Sequence, residues 1–356
     1  MSAPKWILVG TVTLFSMIGV AALFKKKDGG SLTVASAEEK TVARTETPIV
    51  SIPAKALQKE LPQETKSATT PQAHLLGTQT VGASSLPRPV QLPKDDFPNI
   101  DRIFQLFSTS SSRLPIVETI SYSSTVSWLK GRPAWVSDYA VHYGTSRHFI
   151  ARSLNGRPDY FSQKVSEGSP FNVFRKDKKI EFFLLVDLSR CKMGFYYIDL
   201  DTNERVLLKT YKVGLGRLDS SSPSGSLTPL GRYALGDRVA IYQPGSTGYY
   251  QDQKVEMNKV FGTRWIPFGK ELDRTTAPAK GYGLQGAPWS LDAASAKLVE
   301  NRETIGAYDS DGCIRMSSED IEELFSIVIT KPTMIEIVKD FHEAKLPGIE
   351  VAVPSR

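Results

Sequence analysis

Cysteine and histidine are scarce in this chain. Only two cysteines, Cys191 and Cys313, occur among 356 residues, which excludes a disulfide scaffold and a cysteine-rich zinc site. The histidines are too scattered along the sequence to indicate a metal centre: His74, His142, His148 and His342. The sequence therefore implies neither a metal nor an organic cofactor.

Concentrated positive charge is also missing. The net charge is +6, and no dense group of lysines and arginines occurs beyond residues 25–27. A nucleic-acid partner would call for a basic patch or stripe, so we expect none. The mild positive charge suits an anionic surface such as a membrane or a cell wall.

One long apolar run lies near the amino terminus. Residues 6–24 carry no charge, and as a helix they would span close to the ~30 Å hydrocarbon core of a bilayer. A cleaved signal peptide is the alternative, because Ala35-Ser36-Ala37 resembles a cleavage site. Since the run is long for a signal peptide and lysines follow it directly, we predict an uncleaved transmembrane anchor over residues 1–27.

Residues 28–95 are rich in Ser, Thr, Ala, Pro, Gln and Lys and contain almost no aromatic residues. Such a segment cannot bury enough apolar surface to offset the entropy lost on folding. We therefore predict a disordered linker between the anchor and the folded part.

Residues 96–178 are predicted to form a small α+β module. Residues 137–144 read as one helix, Thr145 as the cap of a second, and residues 164–174 as a turn and a strand. The strand-helix-helix-strand order, with YGTSRHFIARSLNG and VSEGSPFNV, resembles a divergent LysM module, although the usual first-strand signature is reduced to residues 130–132. That resemblance implies binding to cell-wall glycans, and His142 and His148 are expected to pack this module.

Residues 179–340 are dominated by strand patterns, and residues 341–356 are predicted to be a tail. Four segments carry the information: IEFFLLVDLSRCKMGFYYID followed by YKVGLG, TPLGRYAL, GYGLQGAP and SDGCIRM. In this order they resemble the YkuD, or L,D-transpeptidase, catalytic domain. The resemblance implies a mainly β protein, with a β-sandwich and one helix beside the active cysteine.

The segment SDGCIRM holds the candidate nucleophile, Cys313. Gly312 allows a sharp turn that would aim backbone N–H groups at an oxyanion, and the Arg315 guanidinium suits a carboxylate. A buried structural cysteine and an arginine in a structural salt bridge are the alternatives. The resemblance implies that Cys313 is the nucleophile and that the N–H groups of Gly312 and Cys313 stabilise the oxyanion. Four further residues are predicted to bind substrate: Ser310, Asp311, Gly286 and Tyr282.

The histidine that the family uses for catalysis is replaced by Gln285. Glutamine cannot accept a proton near neutral pH, and it stands 28 residues before Cys313, further than the family spacing. Asp311 should raise the pKa of the thiol, whereas a helix N-terminus together with Arg315 should lower it. A disulfide with Cys191 would instead consume the nucleophile.

The resemblance implies a two-step reaction on peptidoglycan. The thiolate attacks the carbonyl between the third and fourth residues of a stem tetrapeptide, D-alanine leaves, and a second stem, a lipoprotein lysine or water resolves the thioester. Stem peptides, and glycan strands through the module, are the expected partners of a single-pass protein of the bacterial inner membrane with its folded domains in the periplasm. Two alternatives stay open: a catalytically impaired peptidoglycan-binding protein, and a cytoplasmic orientation set by residues 25–27.

Overall fold

The computed structural model describes residues 95–110, 112–157 and 164–351. The helices in these ranges are short: α1 (Phe104–Phe107), α2 (Val136–His142), α3 (Arg147–Asn155), α4 (Asn258–Phe261) and α5 (Ser318–Val328), with 3₁₀ turns at Arg302–Thr304 and Phe341–Glu343. The strands are more numerous: β1 (Val117–Ser121), β2 (Pro170–Phe174), β3 (Ile180–Asp187), β4 (Lys192–Asp199), β5 (Glu204–Lys212), β6 (Leu215–Gly216), β7 (Gly231–Leu235), β8 (Ala240–Ile241), β9 (Thr247–Tyr250), β10 (Gln253–Glu256), β11 (Arg264–Asp273), β12 (Gly283–Gly286), β13 (Trp289–Leu291), β14 (Leu298–Glu300), β15 (Tyr308–Ser310), β16 (Ile314–Met316), β17 (Thr333–Val338) and β18 (Ile349–Glu350). The fold is therefore mainly β, as predicted.

The predicted anchor and nearly all of the predicted linker lie outside the described residues. Within the described ranges, every helix is too short or too polar to cross a bilayer.

One ten-stranded sheet forms the body of the molecule. Its strand order is β16-β12-β11-β7-β17-β3-β4-β5-β18, and β8 pairs with β11. The segment IEFFLLVDLSRCKMGFYYID forms a hairpin, because β3 and β4 pair antiparallel from Ile180 opposite Asp199 to Asp187 opposite Lys192. Leu208 on β5 and Ile314 on β16 lie far apart in the strand order yet belong to the same apolar cluster. The sheet therefore curls around a shared core.

The helix α5 closes this core on the side of the candidate nucleophile. Ser317 caps it by accepting a hydrogen bond from the Asp320 N–H at 3.1 Å, and Leu324 and Phe325 are buried against the sheet. The predicted helix after Cys313 is confirmed. The strand β16 lies between Cys313 and the start of this helix, so the thiol does not belong to its first turn.

The segment Val117–Phe174 forms a βααβ unit. β1 and β2 pair antiparallel, and α2 and α3 lie between them in the chain, so the predicted element order is confirmed. The resemblance to LysM stays a prediction. The cap of α3 was predicted one residue too early: Ser146 accepts the Phe149 N–H at 3.0 Å, whereas Thr145 uses its hydroxyl to accept the Phe174 N–H at 2.9 Å.

The βααβ unit packs on the large sheet through the same apolar core. Phe149 and Phe174 lie 4.5 Å apart between ring centroids, and Phe174 lies 5.8 Å from Phe182 on β3. The Ser146 hydroxyl also donates to the Ser326 carbonyl on α5 at 2.5 Å. These contacts hold the unit directly against the helix that follows the cysteine. The domain boundaries given above stay predictions.

Candidate active site

Cys313 lies in the wall of a cavity of about 290 Å³. The cavity lining includes six of the eight predicted site residues: Tyr282, Gln285, Ser310, Asp311, Cys313 and Arg315. The other two, Gly286 and Gly312, lie beside it and shape the backbone. The structure thus brings together residues that are separated by more than twenty positions in the sequence.

Strand pairing closes this distance. β12 and β16 are parallel neighbours, with Gln285 opposite Arg315 and Gly286 opposite Met316. A Cβ atom on Gly286 would lie 2.9 Å from the Thr263 nitrogen, so glycine permits the close approach of this chain segment. The longer spacing between Gln285 and Cys313 is taken up by the β13–β14 hairpin and the segment that follows it.

The turn before Cys313 requires a glycine. Gly312 has φ of +114°, and a Cβ there would lie 2.6 Å from Tyr282 Cε1 and 2.7 Å from the Leu227 oxygen. Ser310 Oγ donates to the Cys313 carbonyl at 2.6 Å and accepts the Gly312 N–H at 3.1 Å. The Gly312 N–H is therefore occupied, and its predicted role as an oxyanion donor is wrong for this conformation. Within the described ranges the Cys313 N–H has no protein acceptor, so it remains available.

The thiol itself lies in an apolar setting. It packs against the cluster of Met257, Phe261 and Trp265, and its Sγ donates to the Gly281 carbonyl at 3.6 Å. Burial raises the pKa of the Cys313 thiol to about 12; a hydrogen bond with the backbone of Gly283 and the charge of Arg315 act in the opposite direction, while the Asp311 carboxylate adds to the increase. The resting thiol is neutral near pH 7.

The dipole of α5 does not offset the increase in the thiol pKa that burial causes. The strand β16 occupies residues 314–316, and α5 is capped at Ser317, so Cys313 lies outside the first turn of the helix. The dipole effect is confined to that turn. The expectation that Cys313 ionises at a helix N-terminus is therefore wrong.

The charged groups beside the thiol are paired with other side chains. Arg315 Nη1 lies 2.8 Å from Asp309 Oδ2, and Asp311 Oδ1 lies 2.5 Å from Arg217 Nη2. Arg315 is mostly buried, with 15% of its side chain exposed, whereas Asp311 is 45% exposed. Arg315 thus takes part in an internal ion pair of the kind that the sequence left open as its alternative role.

The part of the chain that the structure describes places no imidazole in the cavity wall. Gln285 donates from Nε2 to the Val260 carbonyl at 2.9 Å and is only 5% exposed. His142 stacks on Trp128 with ring centroids 4.2 Å apart, and His148 meets Phe325 edge-on at 5.2 Å. His142 packs within the βααβ unit, as predicted, whereas His148 packs against α5 outside it, and neither histidine lines the cavity.

The two cysteines are both free thiols, and Cys191 is buried at the turn between β3 and β4. The alternative of a disulfide between Cys191 and Cys313 is therefore wrong. Among residues 95–110, 112–157 and 164–351, the acids, cysteines and histidines form no group of three able to hold a metal ion.

Three further polar residues of the cavity wall were missed by the sequence analysis: Tyr250, Lys259 and Lys280. Tyr250 and Lys259 come from β9 and α4, where no motif signals a site, and only the tertiary fold brings them here. Lys280 immediately precedes the GYGLQGAP segment, so its position beside a recognised motif could have indicated it.

The region that contains the cavity is similar to known proteins. Residues 181–337 match the family model of the YkuD L,D-transpeptidase catalytic domain. A Bacillus licheniformis protein that carries the name L,D-transpeptidase YkuD is 25% identical over 191 residues, which cover 53% of this chain and 85% of that protein.

Two solved structures are similar at lower identity. The helical cell shape determining protein Pgp2 from Campylobacter jejuni is 15% identical, with a TM-score of 0.30 and coverage of 48% of this chain and 51% of that one. Bd1075 of Bdellovibrio bacteriovorus is 16% identical, with a TM-score of 0.30 and coverage of 45% and 48%. The chain spans about half the length of these solved structures.

Proposed function

We propose that this protein is an L,D-transpeptidase-like cysteine acyltransferase that acts on the stem tetrapeptides of peptidoglycan. The match of residues 181–337 to the catalytic-domain family supports a peptidoglycan-related function. The observation that carries the proposal is local: Cys313 faces a cavity of about 290 Å³ and keeps its own N–H free of protein acceptors in the described ranges. A nucleophile with an adjacent oxyanion donor is the minimum that acyl transfer requires.

The proposed first step forms a thioester. Cys313 Sγ attacks the carbonyl carbon between the third and fourth residues of the stem, and the Cys313 N–H donates to the oxygen that becomes negative. The C–N bond then breaks, and the proton lost by the thiol leaves on the amine of D-alanine. In the second step an amine of another stem or a lipoprotein, or water, attacks the thioester and restores the thiol.

The remaining site residues have positioning roles in this proposal. Ser310 fixes the turn through its two hydrogen bonds, and Gly312 gives that turn its shape. Arg315 lowers the pKa of the thiol while its own charge is held by Asp309. Gln285 orients the wall of the cavity without taking a proton.

A second candidate function is binding of stem peptides without turnover. The specific observation in its favour is the neutral thiol, whose pKa is raised to about 12 in a cavity that the described histidines do not reach. The cavity would then hold a stem peptide and position it for other enzymes.

Mass spectrometry distinguishes the two candidates. After incubation with a stem tetrapeptide or a carbapenem, we expect an acyl adduct on Cys313 in the Cys191→Ala protein and none in Cys313→Ala. Binding of the tetrapeptide by calorimetry without any adduct would favour the second candidate. A protein that neither binds nor reacts with stem peptides would refute both.

The cellular placement is a separate proposal. Residues 1–27 would anchor the chain in the inner membrane, with the βααβ unit facing the glycan strands of the wall. A reporter that folds only outside the cytoplasm, fused after residue 40, should be active. An inactive reporter would indicate the inverted orientation.

A further inference from the structure

The cavity beside Cys313 carries an excess of positive charge. Its lining contains three cationic side chains, those of Lys259, Lys280 and Arg315, and one acidic side chain, that of Asp311. A cavity with this balance favours an anionic ligand. Which of the cations can bind one depends on the partners that each already has.

Two of these cations already have acidic partners in the protein. Arg315 Nη1 lies 2.8 Å from Asp309 Oδ2, and Lys259 Nζ lies 3.6 Å from Oε2 of Glu256, the last residue of β10. Lys280, by contrast, forms no ion pair with any acid in the described part of the chain and stands exposed at the cavity edge. Its charge is therefore available to a ligand without breaking an internal contact.

Lys280 also lies close to the reacting sulfur in the chain. The carbonyl of the next residue, Gly281, accepts the Cys313 S–H at 3.6 Å, and Tyr282 packs over the turn at Gly312. The backbone of Lys280 therefore runs beside the thiol, and the long flexible stem of lysine can move its ammonium group over the space in front of the sulfur. An acidic group a few bonds away from the attacked carbonyl would lie within its reach.

We infer that Lys280 binds the terminal carboxylate of the residue that leaves. This inference rests on the proposed function, because it takes the stem tetrapeptide as the substrate. In that peptide the carboxylate is separated from the attacked carbonyl by only the nitrogen and α-carbon of the fourth residue. A peptide with an amidated fourth residue lacks this charge, and a longer peptide carries it at least one residue further from the attacked carbonyl, so both should bind more weakly.

Calorimetry on the Cys313→Ala protein, which cannot turn the peptide over, tests the inference. The free-acid tetrapeptide should bind about tenfold tighter than its C-terminal amide, as expected for a charge-assisted contact. Adding Lys280→Met should remove most of this difference by weakening the acid alone, and Lys280→Arg should preserve it. Lys270→Met, which removes an exposed lysine on β11 outside the cavity lining, is the matched control and should change neither affinity. The difference between acid and amide should also shrink at high ionic strength.

The outcomes separate the inference from the function on which it rests. If acid and amide bind the Cys313→Ala protein equally, or if Lys280→Met leaves their difference intact, the inference is wrong while stem binding stands. If Lys280→Met weakens binding of the acid and of the amide equally, the Lys280 side chain affects the shape of the cavity and not the recognition of charge, and the inference is likewise wrong. If no stem peptide binds but N-acetyl-D-alanine binds in a Lys280-dependent manner, the carboxylate site survives and the proposed function fails.

Discussion

The reactivity of the Cys313 thiol provides the most direct test of the site. Burial against Met257, Phe261 and Trp265 raises its pKa to about 12, against ~8.5 for a free cysteine, which corresponds to about 5 kcal/mol for forming the thiolate in the folded protein. At pH 7 roughly one thiol in 10⁵ would be ionised, against about 3% for a free cysteine with a pKa of ~8.5. Because the thiolate is the nucleophile, alkylation should be slower than that of a free thiol by a factor on the order of 10³.

The assay is the rate of iodoacetamide labelling in the Cys191→Ala protein, which leaves one thiol, measured from pH 6 to pH 10. The rate should rise tenfold per pH unit without a plateau, and unfolding in urea should restore the rate of a free thiol. A comparison with Asp311→Asn isolates the carboxylate, whose removal should speed labelling modestly. A plateau below pH ~8.5 in the folded protein would refute the physical account of the site and would point to an activating group that the static structure does not show.

Further predictions concern the turn, the half-buried His148 and the junction of the βααβ unit with α5. Gly312→Ala should abolish the acyl adduct on Cys313 and lower the free energy of unfolding by at least ~1 kcal/mol, because its Cβ would overlap Tyr282 and the backbone is left-handed. Mass spectrometry measures the adduct, and thermal melts measure the stability. Burial, and then the charge of Arg264, lowers the pKa of His148 to about 4. The free energy of unfolding should therefore be highest above pH ~6.5 and fall by up to ~3 kcal/mol as the pH drops to about 4, because the unfolded chain takes up the proton first. In urea unfolding, His148→Gln should lose less stability over the same range. Ser146→Ala should cost about 1–2 kcal/mol in the same assay, since it removes the α3 cap and the bond to Ser326, and a change below a few tenths would contradict this.

Local patterns in the sequence predicted much of the fold. The aromatic and β-branched residues of IEFFLLVDLSRCKMGFYYID indicate strands, and the structure places β3 and β4 there. The helix expected beside Cys313 is α5. Thr145 and Ser146 are both good capping residues, and only the tertiary contact between Thr145 and Phe174 decides which of them caps α3. Local signals therefore fix the type of an element better than its first residue.

The candidate site was predictable where one motif contains the chemistry and unpredictable where the fold supplies it. The motif around Cys313 identified the candidate nucleophile and the glycine turn. It could not show that Ser310 occupies the Gly312 N–H, because that depends on a rotamer, or that β16 separates the thiol from α5. Lys259 enters the cavity from a four-residue helix that has no counterpart in the recognised motifs.

The junction between the βααβ unit and α5 has a mechanical consequence. Ser146 bonds to α5, and Phe149 packs in the shared core, so both residues hold the unit against the elements that follow Cys313. Should the unit bind glycan strands as proposed, that packing would set the direction from which the attached stem peptides approach the thiol.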